Sequence, residues 1–156
     1  ITVISVGKIK EKYFTAAIDE YSKRLSRFAK LNIIEVADEK IPDNASEKEM
    51  EQIKEKEGNK ILAKLPQNSF VVTLCIEGKE HSSEELAKKI ADISMTSSHI
   101  TFIIGGSLGL SNTVKSKSAL RLSFGKMTLP HQLMRVVLLE QIYRAFKINN
   151  NESYHK

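Results

Sequence analysis

One cysteine, Cys75, stands in the whole chain, inside the apolar run FVVTLCI. A single thiol excludes an internal disulfide and any zinc site built on cysteines. A buried packing residue in a reducing, cytoplasmic compartment is the reading that fits. The four histidines, His81, His99, His131 and His155, show no close metal-ligand spacing, so no metal is expected. No apolar stretch approaches the ~20 residues needed to cross a bilayer. No secretory leader is visible, and no membrane attachment is expected. Internal repeats and low-complexity tracts are missing. Acidic residues nearly vanish from the last third: residues 112–156 hold 8 Lys/Arg against 2 Asp/Glu, while residues 1–111 hold 16 against 17. The net charge of +5 therefore lies wholly in the carboxyl-terminal third, which points to a polyanionic partner, nucleic acid above all.

What is there suits one domain over residues 1–156. The chain is 41% hydrophobic and 28% charged, enough apolar matter for a core. ITVISV (Ile1–Val6) alternates as a strand. Phe14, Ala17, Ile18, Tyr21, Leu25 and Phe28 recur at helical spacing. LNIIEV (Leu31–Val36) is a second strand. The highly charged segment Asp38–Leu65 keeps a narrow stripe of Met50, Ile53, Ile61 and Leu65. Asn44 with Glu47, or Ser46 with Glu49, marks the start of an exposed amphipathic helix there, weakened at Gly58. SFVVTLCI (Ser69–Ile76) reads as a strand buried on both faces. Ser82 and Glu85 form a capping box before a helix carrying Leu86, Ile90 and Ile93. HITFII (His99–Ile104) and ALRLSF (Ala119–Phe124) follow as strands, separated by a short, poor helix around Asn112–Ser118. A long apolar helix closes the chain. This alternation predicts an α/β fold with a mainly parallel sheet flanked by helices. Ligands in such sheets bind at the carboxyl ends of strands, which selects the loops after Ile76, Ile104 and Phe124.

GGSLG (Gly105–Gly109) matches G-x-S-x-G, the turn that presents a nucleophilic serine in α/β-hydrolases. Ser107 would then be the nucleophile and His155 its base. The helix that should follow is weak, so a second use of these glycines is preferred, close approach of backbone to a flat ligand. Gly125-Lys126 lacks the upstream glycine and the following Ser or Thr of a phosphate loop. Pro130 suits the first turn of the last helix, and Arg135, near the start of that apolar helix, calls for an anionic partner. Leu133–Leu139 is apolar around much of its circumference, and a partner subunit is expected on the side the sheet leaves uncovered.

GGSLGL after a strand, the stretch FGKMTLPHQLMRVVLLEQIYRAFKI and the terminal ESYHK together resemble the bacterial ribosomal RNA large-subunit methyltransferase H family, of the SPOUT class. The similarity runs over the whole chain. It implies a homodimer of small α/β domains with a carboxyl-terminal trefoil knot. It implies methylation by S-adenosyl-L-methionine of the N(3) imide nitrogen of a pseudouridine in large-subunit rRNA, on assembled ribosomes. Carried over by position, the cofactor contacts are Leu74, Gly106, Gly125, Lys126, Met127, Thr128, Leu129 and Pro130. The ending Tyr154, His155, Lys156 matches a substrate-side element, with Arg144 beside it. Deprotonation of the imide makes His155 the first choice of proton acceptor, and Arg135, Arg144 and Lys156 candidate cations for the resulting anion. A hydrolase using Ser107 and a basic RNA-binding module without catalysis are the rival readings.

Overall fold

The computed structural model describes residues 1–156. Five strands, β1 (Thr2–Val6), β2 (Asn32–Val36), β3 (Phe70–Glu80), β4 (Ile100–Ile104) and β5 (Leu120–Ser123), form one sheet in the order β2-β1-β4-β3-β5. Every neighbouring pair is parallel. The helices are α1 (Lys12–Leu25), α2 (Glu47–Lys64), α3 (Ser83–Ser94), α4 (Asn112–Ser116) and α5 (His131–Asn149).

Alternate residues of the central strands serve opposite cores. Val3, Val72, Phe102 and Leu122 pack with Ile18, Leu86, Leu139 and Ile142, which puts α1, α3 and α5 on one face. Ile4, Val71 and Ile103 pack with Ile61 and Val114, which puts α2 and α4 on the other. The parallel sheet is thus covered on both sides, as its continuous apolar strands require. Capping boxes at Ser46/Glu49 and Ser82/Glu85 start α2 and α3.

Three local expectations are corrected. β3 does not end at Ile76: it continues to Glu80, and its register with β5 shifts between Leu74 and Lys79. The loop expected after Ile76 is a bulge inside a strand. Gly78 makes this possible, because a Cβ there would stand 2.7 Å from the Arg121 carbonyl oxygen. Pro130 occupies the N-cap of α5 with extended backbone, one residue before the first turn. The α5 helix packs between α1 and α3 and buries Leu138, Leu139 and Ile142, while Leu133, Met134, Val136 and Val137 stay half-buried, so the side on which a partner subunit is expected is not fully covered within the chain. Finally, α2 runs unbroken through Gly58, which is itself buried. Its missing side chain admits α4: a Cβ at Gly58 would meet Ser111 Oγ at 2.6 Å and Val114 Cγ2 at 3.1 Å. Ser111 Oγ cannot retreat freely, because it caps α4 by accepting from Val114 N–H.

Gly58→Ala therefore sets a helix-propensity gain of ~1 kcal/mol against an overpacking cost of about 1–3 kcal/mol. The variant should unfold at lower urea than the parent chain. A higher midpoint would mean that the contact between α2 and α4 is soft.

Candidate active site

At the carboxyl ends of β3, β4 and β5 lies a cavity of about 720 Å³. That is within the range of roughly 300–1,000 Å³ typical of small-molecule sites. Its walls are the β3 bulge (Leu74, Cys75, Ile76, Glu77), the turn after β4 (Ile104 to Leu110), and the loop between β5 and α5. The turn after β4 is tight. Gly109 N–H bonds the Gly106 carbonyl at 3.0 Å and Gly109 sits at φ +86, where glycine alone is unstrained. Gly125, at φ +116, lets the last loop leave β5.

Ser123 joins two of the three walls. It is 4% exposed, and its hydroxyl lies 2.8 Å from the Ile76 carbonyl, to which it donates, and 3.1 Å from Gly125 N, from which it accepts. Sequence reasoning passed over this residue, since a serine at the end of a strand carries no motif. Glu77 and Lys115, which also line the cavity, form an ion pair at 2.5 Å that holds the Glu77 carboxyl below its usual range.

Of the residues expected to hold a cofactor, Leu74, Gly106, Gly125, Met127, Thr128, Leu129 and Pro130 line this cavity. Lys126 does not and is exposed. Three sequence-distant segments thus converge, with apolar side chains and exposed backbone groups together, as in small-molecule sites generally. The glycine positions leave no room for larger residues: a Cβ on Gly105 would stand 2.8 Å from the Gly109 carbonyl carbon, and one on Gly106 would stand 3.0 Å from Val6 Cγ1.

Arg135 departs from its expected role at a substrate anion. It is 2% exposed and its guanidinium bonds Glu35 at 2.5 Å and the carbonyls of Val6 and Gly7 at 3.0 and 2.6 Å. The anion it called for is Glu35, inside the fold. The terminal segment is likewise not at the cavity: none of Arg144, Tyr154, His155 and Lys156 lines it. Tyr154 OH donates to Glu140, and its ring lies edge-on to Tyr143 and under the Arg144 guanidinium. Burial and the Glu140 carboxylate push Tyr154 up to about 12. His155 lies between Arg144 Nη1 (3.2 Å) and Glu84 Oε1 (2.7 Å). Arginine can only donate, so Nδ1 accepts and Nε2 carries the proton given to Glu84. In this arrangement the free lone pair that a base needs is already taken.

Ser107 has no histidine partner, and α4 begins only at Asn112, beyond its cap at Ser111. The strand-to-helix elbow of a hydrolase is absent. No group of His, Cys, Asp and Glu could hold a metal, and no helix is long and apolar enough to cross a membrane.

The family model described as "Predicted SPOUT methyltransferase" matches residues 1–155. The chain belongs to the SPOUT methyltransferase family. It is 62% identical to the ribosomal RNA large subunit methyltransferase H of Clostridium novyi, covering 100% of this chain and 99% of that protein. The protein of the same name from Clostridioides difficile is 59% identical with the same coverage. A solved structure of a probable methylase family protein from Haemophilus influenzae shares the fold, with a TM-score of 0.54 at 13% identity over 99% of this chain and 70% of that one. SPOUT methyltransferases take their methyl group from S-adenosyl-L-methionine, and the cavity walls fit such a molecule.

Arg135→Met should leave the buried carbonyls of Val6 and Gly7 without their donor, while the exposed Glu35 turns to water, and cost about 1–3 kcal/mol, read as a lower urea midpoint. A second expectation concerns pH. Burial, with the Arg135 cation, lowers the pKa of His131, and Asp38 opposes the shift. As pH falls below the ordinary histidine value of about 6.5, the unfolded chain takes up this proton first, so stability falls until the folded value is passed. His131→Gln should flatten that part of the stability profile between about pH 7.5 and 5.5. An unchanged slope would assign the pH dependence to other groups.

Proposed function

We propose that the protein is an S-adenosyl-L-methionine-dependent methyltransferase that modifies the N(3) imide nitrogen of a pseudouridine in large-subunit rRNA, in the cytoplasm, on assembled ribosomes. The observation that carries this reading is the cavity built from the GGSLG turn and the FGKMTLP loop, in a chain about 60% identical over its whole length to enzymes named for this RNA. The basic carboxyl-terminal third supplies charge for RNA phosphates.

The bound cofactor supplies a methyl group on a sulfonium, open to direct displacement. The chain's part is mainly alignment. Leu74, Gly106, Gly125 and Met127–Pro130 hold and orient the cofactor, with Lys126 at the rim. The imide must lose its proton before its nitrogen can attack. Arg144 and Lys156 stabilise the anion, Tyr154 fixes Arg144, and His155 reaches the proton only if the segment after Asn151 leaves its seat on Glu84 and Arg144. Arg135 acts as a positioning residue for the start of α5.

A homodimer and the trefoil knot implied by the resemblance belong to the same proposal. Around the cavity mouth Ile76, Phe124, Met127 and Leu129 are exposed, Met127 at 86%. An apolar rim of this kind is a docking surface, and a second chain seated there would bring its own terminal segment to this cavity.

Isothermal titration should detect S-adenosyl-L-methionine without added metal, and labelled methyl should pass to whole ribosomes in preference to free rRNA. A folded protein that binds no cofactor at millimolar concentration would refute the reading. Cross-subunit assembly is tested by mixing Gly106→Arg with a chain truncated after Asn151, each inactive alone. Mixed dimers should regain partial activity. A dead mixture after verified subunit exchange would restrict each site to one chain.

A further inference from the structure

Beside the cofactor cavity lies a smaller one of about 180 Å³ that the assignment above leaves unused. The two share Gly106, Ser107, Leu108 and His131 as a common wall. Its far side carries three carboxyl groups, Asp38, Glu39 and Glu57, and one cation, Lys40. Glu39 is paired with Lys60, but no lysine or arginine pairs with Asp38 or Glu57. Glu57 is the unusual group. It is a carboxylate on α2, 5% exposed, in a position where carboxylates are rarely buried without a partner. One oxygen, Oε2, accepts from Glu39 N–H at 3.0 Å, and Oε1 has no hydrogen bond. Oε1 lies against the cofactor turn: a Cβ on Gly106 would stand 3.3 Å from it.

Burial, with Asp38 and Glu39 nearby, raises the Glu57 pKa, so an N–H donor on the unbonded Oε1 is what would hold this carboxyl in its ionised, accepting form. At about a quarter of the neighbouring cavity's volume, this space suits a single ring better than a whole nucleotide. The amino-acid end of the cofactor is the competing occupant, since its ammonium could also meet Oε1 and its carboxylate Lys40, and cofactor affinity separates the two. Pseudouridine and uridine differ at one edge. Turning the ring about its N3–C6 axis leaves N3 in place and exchanges N1–H for C5–H. An acceptor beside that edge separates the two bases, while N3 still points to the shared wall and the cofactor beyond it.

We propose that this small cavity seats the target base and that Glu57 Oε1 accepts its N1–H, so that Glu57, with Asp38 at the rim, selects pseudouridine over uridine. The inference rests on the pseudouridine-methyltransferase reading given above. The site demands a base turned out of its stack, entering edge-first past His131.

The test compares ribosomes that carry pseudouridine at the target with ribosomes from a strain lacking the corresponding synthase, in which the target is uridine. Glu57→Gln keeps the side chain's size. Its one acceptor oxygen is claimed by Glu39 N–H, which leaves an amide N–H2 facing the base. The variant should lose about 10- to 100-fold in kcat/KM on pseudouridine ribosomes, the scale of a lost base-edge contact. Its activity on uridine ribosomes and its titrated affinity for S-adenosyl-L-methionine should stay as in the parent chain. Equal loss on both ribosomes, or no loss on either, overturns the assignment. A parallel fall in cofactor affinity overturns it too, and gives the carboxylate to the cofactor. If Glu57→Gln does not fold, Asp38→Asn carries the same comparison from the exposed rim: a smaller loss confined to pseudouridine supports the proposal, and an unchanged ratio overturns it. If the parent chain binds the cofactor yet methylates neither ribosome, the parent reading fails, and this one with it.

Discussion

A buried guanidinium holds the carboxyl end of the sheet to the helix that follows the cofactor loop. Arg135 has no water to fall back on, so its charge must be met by Glu35 at the end of β2 and by the carbonyls of Val6 and Gly7 at the end of β1. Its Nε atom alone lacks a partner. Because ion and carbonyl geometry are both demanding, the first turn of α5 is fixed relative to two strands at once. The loop Gly125–Pro130 ends where that turn begins, so one wall of the cavity inherits its position from this contact. Ile9 N–H on Glu35 and Lys10 N–H near Gln132 add to the same joint.

The cavity is assembled from segments that are individually slight. A bulge, a glycine turn and a proline-ended loop would each be mobile alone. Ser123 ties the first to the third, and the Glu77–Lys115 pair ties the first to α4. Backbone and apolar side chains therefore make up most of the cavity's walls, with Glu77 and Lys115 paired to each other and Glu57 behind the wall that His131 shares. Such a division suits methyl transfer, in which alignment matters more than proton relay.

The order of elements was legible because the alternation of β1, the continuous apolar run of β3 and the helical spacing of α1 were strong, and because both capping boxes were written as Ser-x-x-Glu. The convergence of the three loops was legible from parallel-sheet geometry alone, except that the first proved to be a bulge. What escaped the sequence were contacts between distant residues. Gly58 looked like a weak point because propensity is local, while its partner Ser111 is 53 positions away along the chain. Arg135 looked like a substrate cation because nothing in its neighbourhood reveals Glu35, a hundred residues earlier. Ser123 and Glu57 had no motif, and only their burial marks them.

The position of α5 has a consequence for synthesis. This helix fills the space between α1 and α3 and supplies Leu138, Leu139, Ile142 and Ala145 to the larger core, yet it follows every other element along the chain. β5, at the edge of the sheet, precedes it by only a few residues. A nascent chain lacking the final segment exposes the apolar faces of α1 and α3 and cannot close the sheet's cofactor end. Native contacts of such long sequence separation form slowly. The cavity thus cannot be complete before α5 has been made, and the chain lacking it is the state in which chaperones would find most to hold.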